Sequence, residues 1–433
     1  MKLFAVAGNP ILHSRSPDLH RPLFSLHGYE AAYTRVHTES AADIRLLFKE
    51  VGFSGMNITA PFKESLLPVL DRLDDSALTT GAVNTVLTDA EGLKGYNTDP
   101  DGVAAAFAEA GVTLRGQRVL VLGAGGAARA AAYALKREGA DVSVVNRTRE
   151  KALRLTRELN CRSIPWTQLR ESLGGSRIIV NAIAAAEPPF PPEWLPKRAL
   201  ILDADYRSRP LETAAQSREC RYLAGTEWLL GQGLAAFSLF TGITPAESRL
   251  DLIRSHITGG HTRKTGLALI GFMAAGKSTV GPMLAQRLGY QFLDLDDWIE
   301  EHEGMKISEI FSRRGETRFR QLECKAVREH AGQPSLVLSC GGGAVLNADS
   351  RDRLQRHGWV VWLYSPWTLT RERMREGNRP LLRNPDPDAT AMKLFAERKT
   401  LYARTADLLI INRTKPEEVA DAIYHEIDPY ITH

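Results

Sequence analysis

The sequence predicts an α/β protein in two halves, each organised around a glycine-rich turn between a strand and a helix. Three observations carry this expectation. Short apolar runs of strand-like length alternate with amphipathic, helix-like runs along the chain. The turn Gly123-Ala-Gly125-Gly-Ala-Ala128 separates an apolar run at 119–122 from a helical run reaching Glu138. A second turn, Gly271-Phe-Met-Ala-Ala-Gly276-Lys277-Ser278-Thr279, separates an apolar run at 267–270 from an amphipathic run at 280–288. It fits the pattern G-x-x-x-x-G-K-[ST] without a mismatch. Its glycines free backbone N–H groups to wrap phosphates, and the helix N-terminus adds positive potential.

Composition narrows the function classes. A chain of 433 residues suggests two or three domains. With 55 Lys+Arg against 51 Asp+Glu, the net charge of +4 is too balanced to argue for nucleic acid. Cys161, Cys220, Cys324 and Cys340 are scattered and form no C-x-x-C, as expected for a reducing cytoplasm without a disulfide framework or zinc site. No apolar run approaches the roughly 18 residues of a membrane helix, and the run at 3–7 is too short for a signal-peptide core. The expected partners are small molecules, with neither nucleic acid nor membrane, and the oligomeric state is left open.

In chain order, strands are expected at 3–7, 32–37, 56–59 and 82–88, with helices at 17–26, 42–51 and 100–110. Ser16-Pro17 starts the first helix, with Ser as cap and Pro at the first helical position. This alternation implies a largely parallel sheet over residues 1–110. A second lobe, 111–254, holds strands at 119–122, 142–145, 178–181 and 199–203, closed by helices at 229–241 and 245–257. Its turn fits the Rossmann pattern G-x-G-x-x-G/A with Ala in third place, and the strand after it ends in Asn146-Arg147-Thr148. An arginine where NAD sites carry an acid suits a 2′-phosphate, hence NADP. The polar stretch 255–265 is expected to be a flexible linker spanning roughly 20 Å, with no fixed relative orientation of the halves. The domain 266–433 follows, with strands at 267–270, 335–340, 359–364 and 408–412 and helices at 298–302, 307–311, 316–330 and 389–401.

In the second half, Lys277 is expected to reach the β/γ-phosphates of a nucleotide and Ser278 to hold Mg²⁺. Asp294 and Asp296 are placed at the C-terminal end of a strand, where α/β folds bind ligands. One carboxylate near the metal and one facing an acceptor hydroxyl is what phosphoryl transfer requires. Arg320 and Arg398 are bidentate carboxylate binders by type, and Gly341-Gly342-Gly343 after a strand invites close backbone approach. Arg379, in the polar segment Gly377-Asn-Arg379-Pro-Leu-Leu, is a candidate to close over a nucleotide. Together, the phosphate loop, Asp294-x-Asp296, Gly-Glu-x-x-Phe-Arg320-x-x-Glu323, the glycine triplet, Arg379-Pro-Leu-Leu and Arg398-x-x-Leu-Tyr402 resemble shikimate kinase over essentially the whole domain. The resemblance implies an adenylate-kinase-like fold. It assigns ATP to Ala274, Ala275, Gly276, Lys277, Ser278, Thr279 and Arg379, and Mg²⁺ to Ser278 and Asp294. Shikimate falls to Asp296, Arg320, Gly341, Gly342, Gly343 and Arg398, and Lys277 and Arg379 stabilise the transferring phosphoryl group.

In the first half, Ser14 and Ser16 stand at a helix start, and Lys63 and Asp99 form a plausible proton-transfer dyad for a ketone. Ser14-x-Ser16-Pro, Asn-x-Thr59-x-Pro-x-Lys63, Gly-Ala-x-Asn84-Thr, Asn-Thr-Asp99-x-x-Gly, the glycine turn, Asn146-Arg147-Thr148, Tyr206 and Gln232 resemble shikimate dehydrogenase over residues 1–257. The implied reaction is reduction of 3-dehydroshikimate by NADPH, with Lys63 as proton donor and Asp99 orienting it. The resemblance assigns Ser14, Ser16, Thr59, Asn84, Tyr206 and Gln232 to the ring acid. It assigns NADP(H) to Asp75, Gly123, Ala124, Gly125, Gly126, Ala127, Asn146, Arg147, Thr148 and Gly225. The sequence departs from that family around the nicotinamide, with Asn181-Ala-Ile183-Ala-Ala-Ala186, Asp203-Ala204 and Ala224-Gly225-Thr-Glu227-Trp228. There a new carboxylate and indole are expected to alter the nicotinamide slot. The leading reading is a bifunctional enzyme of aromatic amino acid biosynthesis. Its rivals are a kinase whose N-terminal half binds without turnover, and a quinate-preferring, NAD-linked oxidation, against which Arg147 argues.

Overall fold

The computed structural model describes residues 1–246, 250–260, 263–375, 381 and 385–431. They form an α/β protein whose chain divides into two compact units. One unit comprises Met1–Pro17, His27–Phe62 and Gly260–His433; the other comprises Asp18–Leu26 and Lys63–Gly259. The first segment of the chain thus packs with the phosphate-loop domain, a partition that the expected linear order of domains does not contain.

In the first unit the strands run in the order Gln291–Asp294, Leu336–Ser339, Leu267–Ile270, Trp359–Tyr364, Leu408–Ile411, Ala31–His37, Lys2–Gly8 and Gly55–Ile58. Every ladder among them is parallel. Their apolar runs are almost fully buried, as in a parallel sheet covered on both faces. Leu408–Ile411 is the strand that joins the two parts: Leu408, Leu409 and Ile410 pair with Arg35, Val36 and His37. Side chains extend that junction. Thr34 donates to the Ala406 carbonyl at 3.1 Å, Lys399 Nζ to the Val51 carbonyl at 2.7 Å, and Arg413 Nη2 to Asp43 Oδ2 at 2.9 Å. Glu50 accepts from the Trp367 amide at 2.9 Å and from the Tyr364 hydroxyl.

Part of the stretch expected to be a flexible linker has regular structure. Residues 255–258 continue the helix Leu250–Thr258. Lys264 forms a bridge with Ile431 and donates through Nζ to Asp407 Oδ2 at 2.8 Å and to the Gly358 carbonyl at 3.0 Å. A polar helix face with Ser, His and Thr looks like linker when read as composition alone.

In the second unit, Thr85–Asp89 and Gly92–Tyr96 form an antiparallel hairpin with Arg72–Leu73 beside it. A separate parallel sheet has the order Arg162–Ile164, Asp141–Val145, Arg118–Leu122, Ile178–Asn181, Leu200–Asp203, Arg221–Leu223. This is the doubly wound dinucleotide order, with its topological switch between Arg118–Leu122 and Ile178–Asn181. The helix Gly126–Arg137 covers it with an alanine-rich face: Ala128, Ala131 and Ala134 are fully buried against Val119, Val121 and Val142. Small side chains there bring helix and sheet close together.

Glu50→Ala removes the acceptor for two donors, one of them the Tyr364 hydroxyl, whose own ionisation is pushed well up by burial and then by Glu50. Urea unfolding should show a loss of about 1–3 kcal/mol, with Glu50→Gln losing less.

Candidate active sites

The phosphate loop leaves Leu267–Ile270 and enters the helix Lys277–Leu288 through Gly276 and through Ala274, which sits in the left-handed region. Lys277 is buried, and its ammonium rests on the Gly271 and Phe272 carbonyls, each at 3.1 Å. Asn412, just after the last strand Leu408–Ile411, donates to the Ala275 carbonyl at 2.7 Å and so holds the loop in place. At the first turn of the helix Ser278 Oγ donates to Asp294 Oδ2 at 2.6 Å. A hydroxyl and a carboxylate are hard oxygen donors that fit Mg²⁺. Among the described residues no cluster of three or more His, Cys, Asp or Glu is placed to hold a metal. Two protein oxygens, completed by phosphate and water, therefore suit the usual magnesium arrangement.

Next to this loop lies a cavity of about 490 Å³ that gathers Lys277, Ser278, Asp294, Asp296, Arg320, Gly341–Gly343 and Arg398. The expectation that Asp296 ends a strand is corrected. The strand stops at Asp294, which caps the helix Leu295–Glu303 by accepting the Asp296 amide at 2.9 Å, so Asp296 projects from a helical first turn. Arg320 donates to Glu316 at 2.8 Å and pairs with Glu323. Glu323 is 3% exposed, and burial pushes its carboxyl up against the opposing pull of Arg320 and Arg398. Arg398, also buried, donates to the Gly342 carbonyl at 3.3 Å, and the Tyr402 hydroxyl donates to the same oxygen at 2.6 Å. Side-chain ends crowd two of the three glycines: a Cβ on Gly343 would lie 1.8 Å from Arg320 Nη1, and one on Gly341 would lie 2.3 Å from Glu323 Oε1. Residues that motif reading passed over are Arg373, which lines the same cavity, and Asn412. Nothing in their local sequence marks them; only the fold brings them in. Arg379 lies outside the described residues.

In the second unit the structure brings Lys63, Asp99, Asn84 and Gln232 together. Lys63 Nζ meets Asp99 Oδ2 at 2.5 Å, with Asp99 the first residue of the helix Asp99–Glu109. Asn84 is the hub: its amide nitrogen donates to Asp99 Oδ1 at 2.9 Å and to Gln232 Oε1 at 3.0 Å, while its oxygen accepts from the Thr98 amide at 2.8 Å. Gln232 reaches the cluster because the helix Gly225–Thr241 packs hard onto Gly102, where a Cβ would stand 2.5 Å from the Trp228 carbonyl. Tyr206 lies half-buried in the turn after Leu200–Asp203. In the first unit, Ser14 Oγ and Ser16 Oγ are 3.2 Å apart, both buried, and Thr59 packs on Gly8.

The dinucleotide turn keeps open space above Gly125 and Gly126, where a Cβ would meet nothing within 4 Å. Such space beside a helix N-terminus suits a pyrophosphate. Arg147 lies 5.2 Å over the Trp166 ring, and Asn146 bonds the Thr148 carbonyl at 2.9 Å. Asp75 is exposed in the first turn of the helix Asp75–Thr80, and Gly225 starts the helix Gly225–Thr241. Of the residues expected to alter the nicotinamide slot, Glu227 and Trp228 both have protein partners. Glu227 is turned to Arg254, with Oε2 3.2 Å from Nε, and Trp228 is buried in the core with Val103 and Phe107. Asp203 is buried as a brace, its Oδ1 accepting from Asn181 at 3.0 Å and its Oδ2 from the Tyr222 hydroxyl at 3.1 Å. Burial nonetheless raises its carboxyl above the ordinary range.

These sites agree with what the chain is similar to. The family model for the shikimate dehydrogenase substrate binding domain matches residues 6–86, and that for shikimate / quinate 5-dehydrogenase matches 105–200. A shikimate dehydrogenase (NADP(+)) from Thermus thermophilus is 40% identical over 261 residues, which cover 58% of this chain and 97% of the relative. The chain belongs to the shikimate dehydrogenase family. Beyond that stretch the shikimate kinase family model matches residues 273–428, so the polypeptide is a fusion of a shikimate dehydrogenase with a shikimate kinase. Among solved structures, a Thermus thermophilus shikimate 5-dehydrogenase in complex with NADP(H) and shikimate superposes with a TM-score of 0.55 at 36% identity, over 59% of this chain and 100% of that one. A quinate dehydrogenase from Corynebacterium glutamicum in complex with NAD gives 0.53 at 28% identity, over 59% and 98%.

Because Glu227 is spent on Arg254, Glu227→Gln in the dehydrogenase should leave the KM for NADP⁺ and the kcat within about twofold, as for a surface ion pair. Steady-state shikimate oxidation measures both.

Proposed function

We propose that this chain catalyses two consecutive reactions of aromatic amino acid biosynthesis, NADPH-dependent reduction of 3-dehydroshikimate to shikimate and ATP-dependent phosphorylation of shikimate to shikimate 3-phosphate. The observation that carries the reading is one chain holding a Lys63–Asp99 pair wired to Asn84 and Gln232, and an arginine-lined cavity beside a phosphate loop. The residues divide the work into a substrate lobe (1–110), an NADP lobe (111–254) and a kinase domain (266–433).

In the reduction, bound NADPH supplies a hydride to the ring carbonyl. Lys63 delivers the proton that the developing alkoxide needs, and Asp99 keeps the ammonium aimed, the two touching at 2.5 Å. Asn84 fixes Asp99 and Gln232 while presenting an amide to ring hydroxyls. Ser14, Ser16, Thr59 and Tyr206 complete the grip on carboxylate and hydroxyls. Gly123–Ala127 cradle the pyrophosphate, with Asp75 and Gly225 flanking the cofactor. Asn146, Arg147 and Thr148 take the 2′-phosphate, with Arg147 resting over the Trp166 ring. That arginine favours NADP(H) over NAD, and shikimate over a quinate- and NAD-linked role.

In the phosphorylation, Arg320 and Arg398 bind the shikimate carboxylate, and Asp296 faces the attacking hydroxyl to take its proton. The Gly341–Gly343 backbone closes the pocket. Ala274–Thr279 wrap the ATP phosphates, Lys277 leaves its carbonyl rests for the β/γ-phosphates, and Arg379 adds charge to the transferring group. Ser278 and Asp294 would hold Mg²⁺, which would offset phosphate charge. Four unpaired cysteines fit a reducing cytoplasm. The reading of the first half as binding without turnover is not favoured beside a shikimate dehydrogenase (NADP(+)) that is 40% identical over 261 residues.

A coupled assay with 3-dehydroshikimate, NADPH and Mg-ATP should oxidise cofactor and form ADP together. Lys63→Ala should lower the dehydrogenase kcat about 10²- to 10⁴-fold and leave the kinase untouched, with Lys277→Ala doing the reverse. Unchanged dehydrogenase turnover in Lys63→Ala rejects the assignment. Arg147→Ala should cut the NADPH-over-NADH preference by roughly tenfold or more, read as the ratio of kcat/KM values, since a charged hydrogen bond is worth about 1.5–3 kcal/mol.

A further inference from the structure

The loop 9–15 carries Ser14 and leads into Ser16, the first residue of the helix Ser16–Leu26, and side chains anchor it at both ends. At its exit Arg35 clasps the Ser14 carbonyl, through Nε at 3.0 Å and Nη2 at 2.8 Å. At its entry the successive backbone amides of Ile11 and Leu12 point the same way, and both end on one carboxylate. Ile11 N lies 2.8 and 3.0 Å from the two oxygens of Glu426, and Leu12 N lies 2.8 Å from Glu426 Oε2. Two consecutive amides make a concave donor that calls for an anion. Glu426 belongs to the helix Pro416–Ile427 of the kinase half, 414 residues further along the chain. It is 3% exposed, and its other neighbour is His37, whose Nδ1 lies 2.7 Å away. His37 in turn meets Glu39 at 2.7 Å, on the strand that pairs with Leu408–Ile411. Burial disfavours a charged His37 ring, but the carboxylates of Glu426 and Glu39 outweigh that and hold it above its ordinary value.

We infer that Glu426, a residue of the kinase half, is a positioning residue of the dehydrogenase: it supplies the anion that fixes the loop presenting Ser14 and Ser16 to the ring acid. The inference rests on the reading of those serines as substrate ligands. Nothing in Glu426 touches substrate. It acts by setting where the loop's backbone runs, three residues before Ser14 and on the same short turn, and charge-assisted bonds to two buried amides are among the stronger ones available.

The test uses the full chain with Glu426→Gln and Glu426→Ala, following shikimate oxidation and shikimate phosphorylation side by side. The dehydrogenase KM for shikimate should rise in graded order, severalfold for Gln and roughly tenfold or more for Ala, as expected when buried amides lose a charged acceptor. Its kcat and its KM for NADP⁺ should stay within about twofold. The kinase constants should not move, which also reports that the helix Pro416–Ile427 still packs on the phosphate-loop helix. An unmoved KM for shikimate in both variants overturns the inference, as does a fall in kcat at constant KM. Should Glu426→Ala lose both activities by misfolding, the isosteric Glu426→Gln decides alone. Ser14→Ala separates the two layers. If it raises the KM while the Glu426 variants do not, the positioning role fails; if it leaves the KM unchanged, the substrate role of the loop fails and the inference with it.

Discussion

The constraint on which the first unit depends is the three-residue ladder between Leu408–Ile411 and Ala31–His37. Either strand without the other would present a row of unpaired amides and carbonyls, the usual route to unwanted association. Paired, they make one parallel sheet out of segments from both ends of the chain. Because every ladder in it is parallel, the loops after its strands leave from the same edge. The serine loop follows Lys2–Gly8 and the phosphate loop follows Leu267–Ile270. The two strands are four ladder steps apart in the sheet, about 19 Å at 4.8 Å per step. Ligands of such sheets gather at that edge, so two catalytic halves share a single structural base.

Around that base exposed or half-buried arginines meet buried carboxylates, within one helix for Arg320 and Glu323 and between distant segments for Arg413 and Asp43. Arg320 with Glu323, and Arg413 with Asp43, each place a cation where a carboxylate has already been taken out of water. Removing one member leaves the other uncompensated, which is why such pairs fix geometry more than they add stability. In the kinase cavity this means that Arg320 is already oriented by protein carboxylates before any substrate carboxylate competes for it.

What the sequence made legible follows from where the physics is local. Both glycine turns are dictated by backbone clearance within a few residues, so strand, turn and helix were readable around Gly123 and Gly276. The Lys63–Asp99 contact was readable as a pair of types in known motifs, though not its wiring through Asn84. The ladder between Ala31–His37 and Leu408–Ile411 left no trace, since a strand's sequence carries no mark of its partner. Arg162–Ile164 and Arg221–Leu223 were missed because each is three residues long and partly charged. Residues 255–258 were polar enough to pass for linker, and the directions of Glu227 and Trp228 were set by Arg254 and by the helix Asp99–Glu109, neither of which is near in sequence.

The hydrogen bond from Thr34 to Ala406 spans 372 residues, and that separation bears on how the protein is made. At roughly 5–20 residues per second, a ribosome needs on the order of 20 to 70 s to deliver the second strand after the first. During that interval the early edge is open and hydrophobic. The ladder on Ala31–His37 therefore closes only after Leu408–Ile411 has been made.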